Sequence, residues 1–125
     1  HALRFLQQKP FRELPTITLF TVLPHTKPPW PMDATSTEQM EVHALRQAQD
    51  FLNDTAAKLG SLGYPTKVAA SLGTPVEGIM QQATVLNPDL ILMGSRGRHG
   101  VTRLVLGSVS HALLHQSRYP LMIFG

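Results

Sequence analysis

The chain has 125 residues, is 42% hydrophobic and carries a formal charge of +3; this size fits one domain with its own core and leaves no room for a second. It contains no cysteine, which excludes disulfides, thiolate nucleophiles and thiolate metal sites and fits a reducing cytoplasm. No apolar run approaches the roughly 20 residues needed to span a bilayer, and residues 1–9 lack the charged-then-apolar layout of a signal peptide, so a soluble cytoplasmic protein without membrane partners is expected.

The first residues carry helical spacing in Leu3, Phe5 and Leu6, an unusual opening for an α/β chain. Thr16 to Leu23, TITLFTVL, is β-branched and apolar and is closed by Pro24, which predicts a strand buried on both faces. Pro28, Pro29 and Pro31 around Trp30 predict a loop, with the indole resting on the domain's own surface. A long helix follows: Thr35 and Glu38 have capping-box spacing, and Leu45, Ala48, Leu52, Ala56 and Leu59 recur at helical intervals. Gly60 or Gly63 ends it.

Thr66 to Ala70 reads as a second strand. Thr74, Pro75 and Glu77 then supply a cap, a proline at the first helical position and an early carboxylate, with Val76, Ile79, Met80 and Ala83 as the apolar face and Asn87-Pro88 as the stop. Leu90 to Met93 is an apolar run leading into Gly94, as in a parallel strand whose carboxyl end opens onto a loop. A helix from about Ser108 to Gln116 and a strand from Leu121 to Phe124 complete the chain. Strands alternating with helices predict a three-layer α/β/α sandwich around a mainly parallel sheet.

The chemistry concentrates in GSRGRHGVTRLVLGSVS, where Gly94, Gly97, Gly107 and Ser108 form the pattern G, two residues, G, nine residues, G, S. The first glycine follows a strand and the last opens a helix, at the carboxyl edge where α/β sheets bind ligands. Phosphate oxygens need several donors at once. A loop without β-carbons lets backbone N–H groups approach them, and the free N–H groups and dipole of a helix start at Ser108, Val109 and Ser110 add to the attraction. Arg96 and Arg98 would neutralise phosphate charge. Arg96, Arg98 and Arg103 fall within eight positions, but without the interleaved aromatics of a nucleic-acid surface. The alternative is that Gly94, Gly97 and Gly100 only permit tight turns and Ser108 only caps a helix. The segment is neither a Walker A loop, lacking its lysine, nor a dinucleotide GxGxxG fingerprint, since Arg96 stands two after Gly94.

The stretch LILMGSRGRHGVTRLVLGSVSHALLHQSRYPLMIF resembles the carboxyl-terminal signature of the universal stress protein family, and SLGTPVEGI and TLFTVLP extend the resemblance upstream. The family's ATP-binding branch holds adenosine phosphates with this glycine pattern. The resemblance therefore implies that Gly94, Gly97, Gly107, Ser108 and Val109 meet phosphates and ribose, that Met93 and Val22 flank the nucleoside, and that ATP or another adenine nucleotide, with Mg2+, is the ligand. It implies a five-stranded sheet of order 3-2-1-4-5, in the adenine-nucleotide alpha-hydrolase-like manner, and a homodimer paired through the closing strand.

One feature departs from the pattern. The family's first strand, central in that order and ending in an aspartate, has no counterpart before Ala2, so the expectation is a universal-stress-protein domain over residues 1–125 with its amino-terminal strand lying upstream, outside the sequence, or supplied by another chain. The implied function is that of a nucleotide-binding regulatory protein of the stress response, at most a weak ATPase; the alternative is a dimerising interaction module that binds no nucleotide. An efficient hydrolase or kinase is disfavoured, because phosphoryl transfer needs a metal-holding carboxylate and no Asp or Glu lies between Leu90 and Gly125. No catalytic residue and no metal site are assigned: His111 and His115 stand four apart, but Ala112, Leu113 and Leu114 between them include no zincin glutamate. His99 beside the glycine loop is read as facing water.

Overall fold

The structure, a computed structural model, describes residues 2–25, 33–94 and 107–124. Its elements run α1 (Ala2–Gln7), β1 (Ile17–Leu23), α2 (Ala34–Ser61), β2 (Thr66–Leu72), α3 (Pro75–Leu86), β3 (Ile91–Gly94), α4 (Ser108–Gln116) and β4 (Leu121–Phe124). The chain divides into two compact units, Phe11–Ile79 and His1–Pro10 with Met80–Gly125, the division falling within α3.

In the first unit β1 and β2 pair in parallel, Ile17 opposite Thr66 through Leu23 opposite Leu72. The ladder is extended at both ends by Ile17 N–H to Pro65 O at 2.8 Å and Gly73 N–H to Leu23 O at 2.8 Å. Parallel strands need a long crossover, and α2 supplies it. Its apolar stripe falls where the periodicity predicts: Ala48 and Leu59 are buried, Leu45, Leu52 and Ala56 half-buried, while Val42 and Phe51, off the stripe, are exposed. β1 is half-buried except for buried Leu23, so the expectation of a strand buried on both faces does not describe it. Tyr64, 2% exposed, fills the end of this core.

The cap of α2 differs from the expected Thr35–Glu38 box. Asp33 is the N-cap, extended at φ −73° and ψ 165°, and its Oδ1 accepts from Ser36 N–H at 2.7 Å. A carboxylate two residues earlier satisfies the free donor at the shortest range and suits the positive end of the helix dipole. At the other end Gly60 lies inside the helix, and Gly63, at φ 97°, makes the left-handed turn. That conformation is nearly strain-free only for glycine.

α3 opens as predicted at Pro75 after Thr74, whose carbonyl accepts from Gly78 N–H at 2.9 Å. Gly78 is there for room: a Cβ on it would stand 2.6 Å from Val22 Cγ2, so the start of the helix lies directly against β1. Asn87, in the left-handed region at φ 48°, ends α3 by donating to Ala83 O at 2.7 Å.

In the second unit β3 and β4 pair in parallel, Ile91 opposite Leu121 through Gly94 opposite Phe124. α4 is the crossover between them. It buries Ser110 and Leu113, three apart, and exposes Ser108, His111, Leu114 and His115. Ser117 shapes the link to β4, its Oγ donating to Tyr119 O at 3.2 Å and accepting from Tyr119 N–H at 3.0 Å. α1 adds buried Leu6 and sets Phe5 against Phe124, ring centroids 5.5 Å apart and tilted by 50°. The architecture is α/β with parallel strands. Among the described residues the strands form two two-stranded sheets, β1-β2 and β3-β4.

Candidate functional site

The site expected from the glycine pattern lies in the second unit, at the carboxyl end of β3 and the amino end of α4. β3 carries Met93, half-buried, and Gly94, exposed, as its last residues. Gly94 has no positive φ, and no atom of the described residues lies within 4 Å of where its Cβ would stand. Neither a strained turn nor a tight protein contact among those residues accounts for glycine there. That position is clear of the described residues, as close approach of a ligand requires.

α4 begins as the sequence predicts, but its cap is a different residue. Gly107, extended at φ −64° and ψ 163°, is the N-cap with no side-chain cap hydrogen bond, and Ser108 is the first helical residue. The reading of Ser108 as a simple capping residue is thereby corrected. The first intrahelical bond runs from His111 N–H to Gly107 O at 2.9 Å, leaving Ser108, Val109 and Ser110 as the turn whose N–H groups have no intrahelical acceptor. Ser108 is exposed, Val109 half-buried. A helix start capped by glycine presents its donors and its positive dipole end to whatever lies outside.

Ser110 joins the two halves of this arrangement. It is 2% exposed, and its Oγ donates to Gly94 O at 3.1 Å. The end of β3 and the first turn of α4 are thus held together although 16 residues separate them. Sequence reasoning assigned Ser110 only a backbone role. The available signal was its place three before Leu113, which puts a small hydroxyl on the buried face of α4. Arg96, Gly97 and Arg98, with His99, Gly100 and Arg103, lie outside the described residues, as do Pro28, Pro29, Trp30 and Pro31. Val22 belongs to the first unit, where its side chain rests on Gly78.

Electrostatically the segment from Leu90 to Gly125 contains Arg96, Arg98, Arg103 and Arg118 and no carboxylate side chain. It can therefore attract an anion but offers no acidic ligand to a metal. Among the described residues no cluster of three or more metal-ligating side chains occurs. A groove of about 420 Å³ is lined by Thr35, Glu38, Gln39, Val42, His43 and Arg46. All six lie on α2, so it is the ribbed surface of one helix, without the converging elements of a ligand site. No helix among the described residues is long and apolar enough to cross a membrane.

Comparison with known proteins gives a consistent result. Universal stress protein A homolog 2 of Coxiella burnetii is 50% identical over 74 residues, 59% of this chain and 49% of its own length. Universal stress protein Slr1101 of Synechocystis is 41% identical over 72 residues, 58% of this chain and 67% of its own. Universal stress protein MJ0577 of Methanocaldococcus jannaschii is 27% identical over 77 residues, 62% and 48% of the two chains. The matched region thus spans about half the length of two of these three relatives. The solved structure of MJ0577 superposes with a TM-score of 0.79 at 19% identity, covering 98% of this chain and 84% of that one. Universal stress protein UspA of Lactobacillus plantarum superposes with a TM-score of 0.78 at 17% identity, covering 99% and 84%. At these identities the two structures establish the fold. The model of the universal stress protein family matches residues 1–125, and the chain belongs to that family.

Proposed function

We propose that this protein binds ATP, or another adenine nucleotide, and acts as a nucleotide-dependent regulatory protein of the stress response. The observation that carries the reading is the hydrogen bond from Ser110 to Gly94 O at 3.1 Å. It brings the first glycine of the motif next to the glycine-capped helix start that bears Gly107, Ser108 and Val109, so that the two ends of the glycine motif meet at one place. In this reading those N–H groups and the Ser108 hydroxyl hold phosphate oxygens, Arg96 and Arg98 balance their charge, Gly97 allows close approach within the loop, and Met93 flanks the nucleoside. Mg2+ travels with the nucleotide and is held by its phosphates, because the segment has no carboxylate to offer. The same lack limits hydrolysis to a slow reaction.

Thermal melting with and without ATP tests the reading. ATP raises the melting temperature, by the linkage that any ligand specific for the folded state obeys, and Gly97→Val abolishes the rise. No response to any adenine nucleotide, in a protein that carries the family's amino-terminal strand, would refute the proposal.

A second reading, homodimerisation through β4, is favoured by one observation: among the described residues Leu121–Phe124 pairs only with β3, which leaves an apolar strand edge open to another copy. Met122→Lys converts a dimeric parent to monomer by light scattering; an unchanged mass rejects this interface.

A further inference from the structure

We propose that His111 and His115 form a two-imidazole chelate for a first-row divalent transition metal on the exposed face of α4, independent of any nucleotide. Residues four apart on a helix stand one above the other, and here the rings already meet, with centroids 4.6 Å apart and planes at 70°. Both side chains are exposed, while Ser110 and Leu113 occupy the buried face of the same helix. A metal that binds both imidazoles therefore displaces no packed group among the described residues, and the helix backbone fixes the spacing of the two ligands in advance.

The chemistry of the pair selects the ion. Neutral imidazole nitrogens bind Zn2+ at about 2.0–2.1 Å and suit Ni2+ and Cu2+ as well, with affinity rising from Ni2+ to Cu2+ and falling again at Zn2+. Mg2+ and Ca2+ prefer oxygen and are excluded. His115 lies in the last turn of α4, where the carbonyl end of the helix dipole favours a cation. No third metal-ligating side chain among the described residues joins the pair, so the remaining coordination positions belong to water or to an incoming ligand.

Calorimetric titration of the metal-stripped protein with Ni2+ or Zn2+, in the absence of nucleotide, tests the proposal. The wild-type chain has six histidines, so the diagnostic quantity is the difference between variants. The wild type binds one equivalent more than either His111→Gln or His115→Gln, at an affinity about a hundredfold above what one imidazole provides, because the second bond is intramolecular. Moving one ring round the helix, with His115→Gln and Gln116→His together, keeps the histidine count and loses the extra equivalent. His43→Gln leaves it intact. Equal binding by wild type and both single variants, loss in only one of the two, or retention by the relocated pair overturns the chelate.

Discussion

Ser110→Ala removes one oxygen from a side chain that is 2% exposed and donates to Gly94 O at 3.1 Å. Two effects of opposite sign compete. Gly94 is itself exposed, so water can replace the lost donor and the change costs about 1 kcal/mol, the net contribution of a typical hydrogen bond. Alanine is the better helix former and returns roughly 0.5 kcal/mol. The volume change is too small for a large cavity term, so the net destabilisation is roughly 0.5 kcal/mol. At roughly 4 °C per kcal/mol for a chain of this size, the melting temperature falls by about 2 °C. A circular-dichroism melt at neutral pH measures it. The sign is decisive, because a melting temperature equal to or above that of wild type would mean that helix propensity dominates and that the bond to Gly94 holds nothing together. If the proposed nucleotide site is correct, the same variant weakens ATP binding more than adenosine binding, since the bond positions the phosphate side of the site.

Gly78→Ala would gain about 1 kcal/mol from helix propensity, yet its Cβ would stand 2.6 Å from Val22 Cγ2 and 3.2 Å from Val22 Cγ1. Valine is stiff at χ1 and cannot turn away from both contacts, so overpacking of about 1–3 kcal/mol prevails. Urea denaturation shows a loss in the wild-type background that becomes a gain when Val22→Ala is also present, and equal effects in the two backgrounds would contradict the close approach. Asp33 has its pKa lowered from 3.8 by the hydrogen bond from the Ser36 backbone N–H and then by the Ser36 side chain. A folded-state pKa below the unfolded one gives stability that is present above the unfolded value and lost as the pH falls through the folded one. Asp33→Asn keeps the cap but cannot ionise, so the wild type's advantage in melting temperature is full above the ordinary aspartate range and shrinks as the pH falls through and below it; an advantage that grows on acidification would invert the assignment.

Much of this protein was written in local sequence. The period of Leu45, Ala48, Leu52, Ala56 and Leu59 placed the long helix and its buried stripe, because helical geometry is set by near neighbours. Pro75 after Thr74 and the bounds Ser108–Gln116 and Leu121–Phe124 were legible for the same reason. The glycine pattern marked the segment from Gly94 to Ser108, and the resemblance of the whole carboxyl-terminal stretch implied the family to which the chain belongs.

What the sequence left undecided depends on atoms brought together from distant positions. The cap of α2 is the exception: Asp33 rather than Thr35 caps it through a bond from Ser36 only three residues on, a local choice that the Thr35–Glu38 spacing passed over. Gly78 reads as an ordinary helix residue until β1 places Val22 against it. Ser110 reads as one more small polar residue until the crossover of α4 carries its hydroxyl to Gly94. His111 and His115 are an accident of spacing until α4 turns Ser110 and Leu113 inward and leaves both rings outside and in contact. Spacing along one helix or strand is a local property and can be read from the chain; which face is buried, and which distant group waits there, is decided only by the packing of the elements against one another.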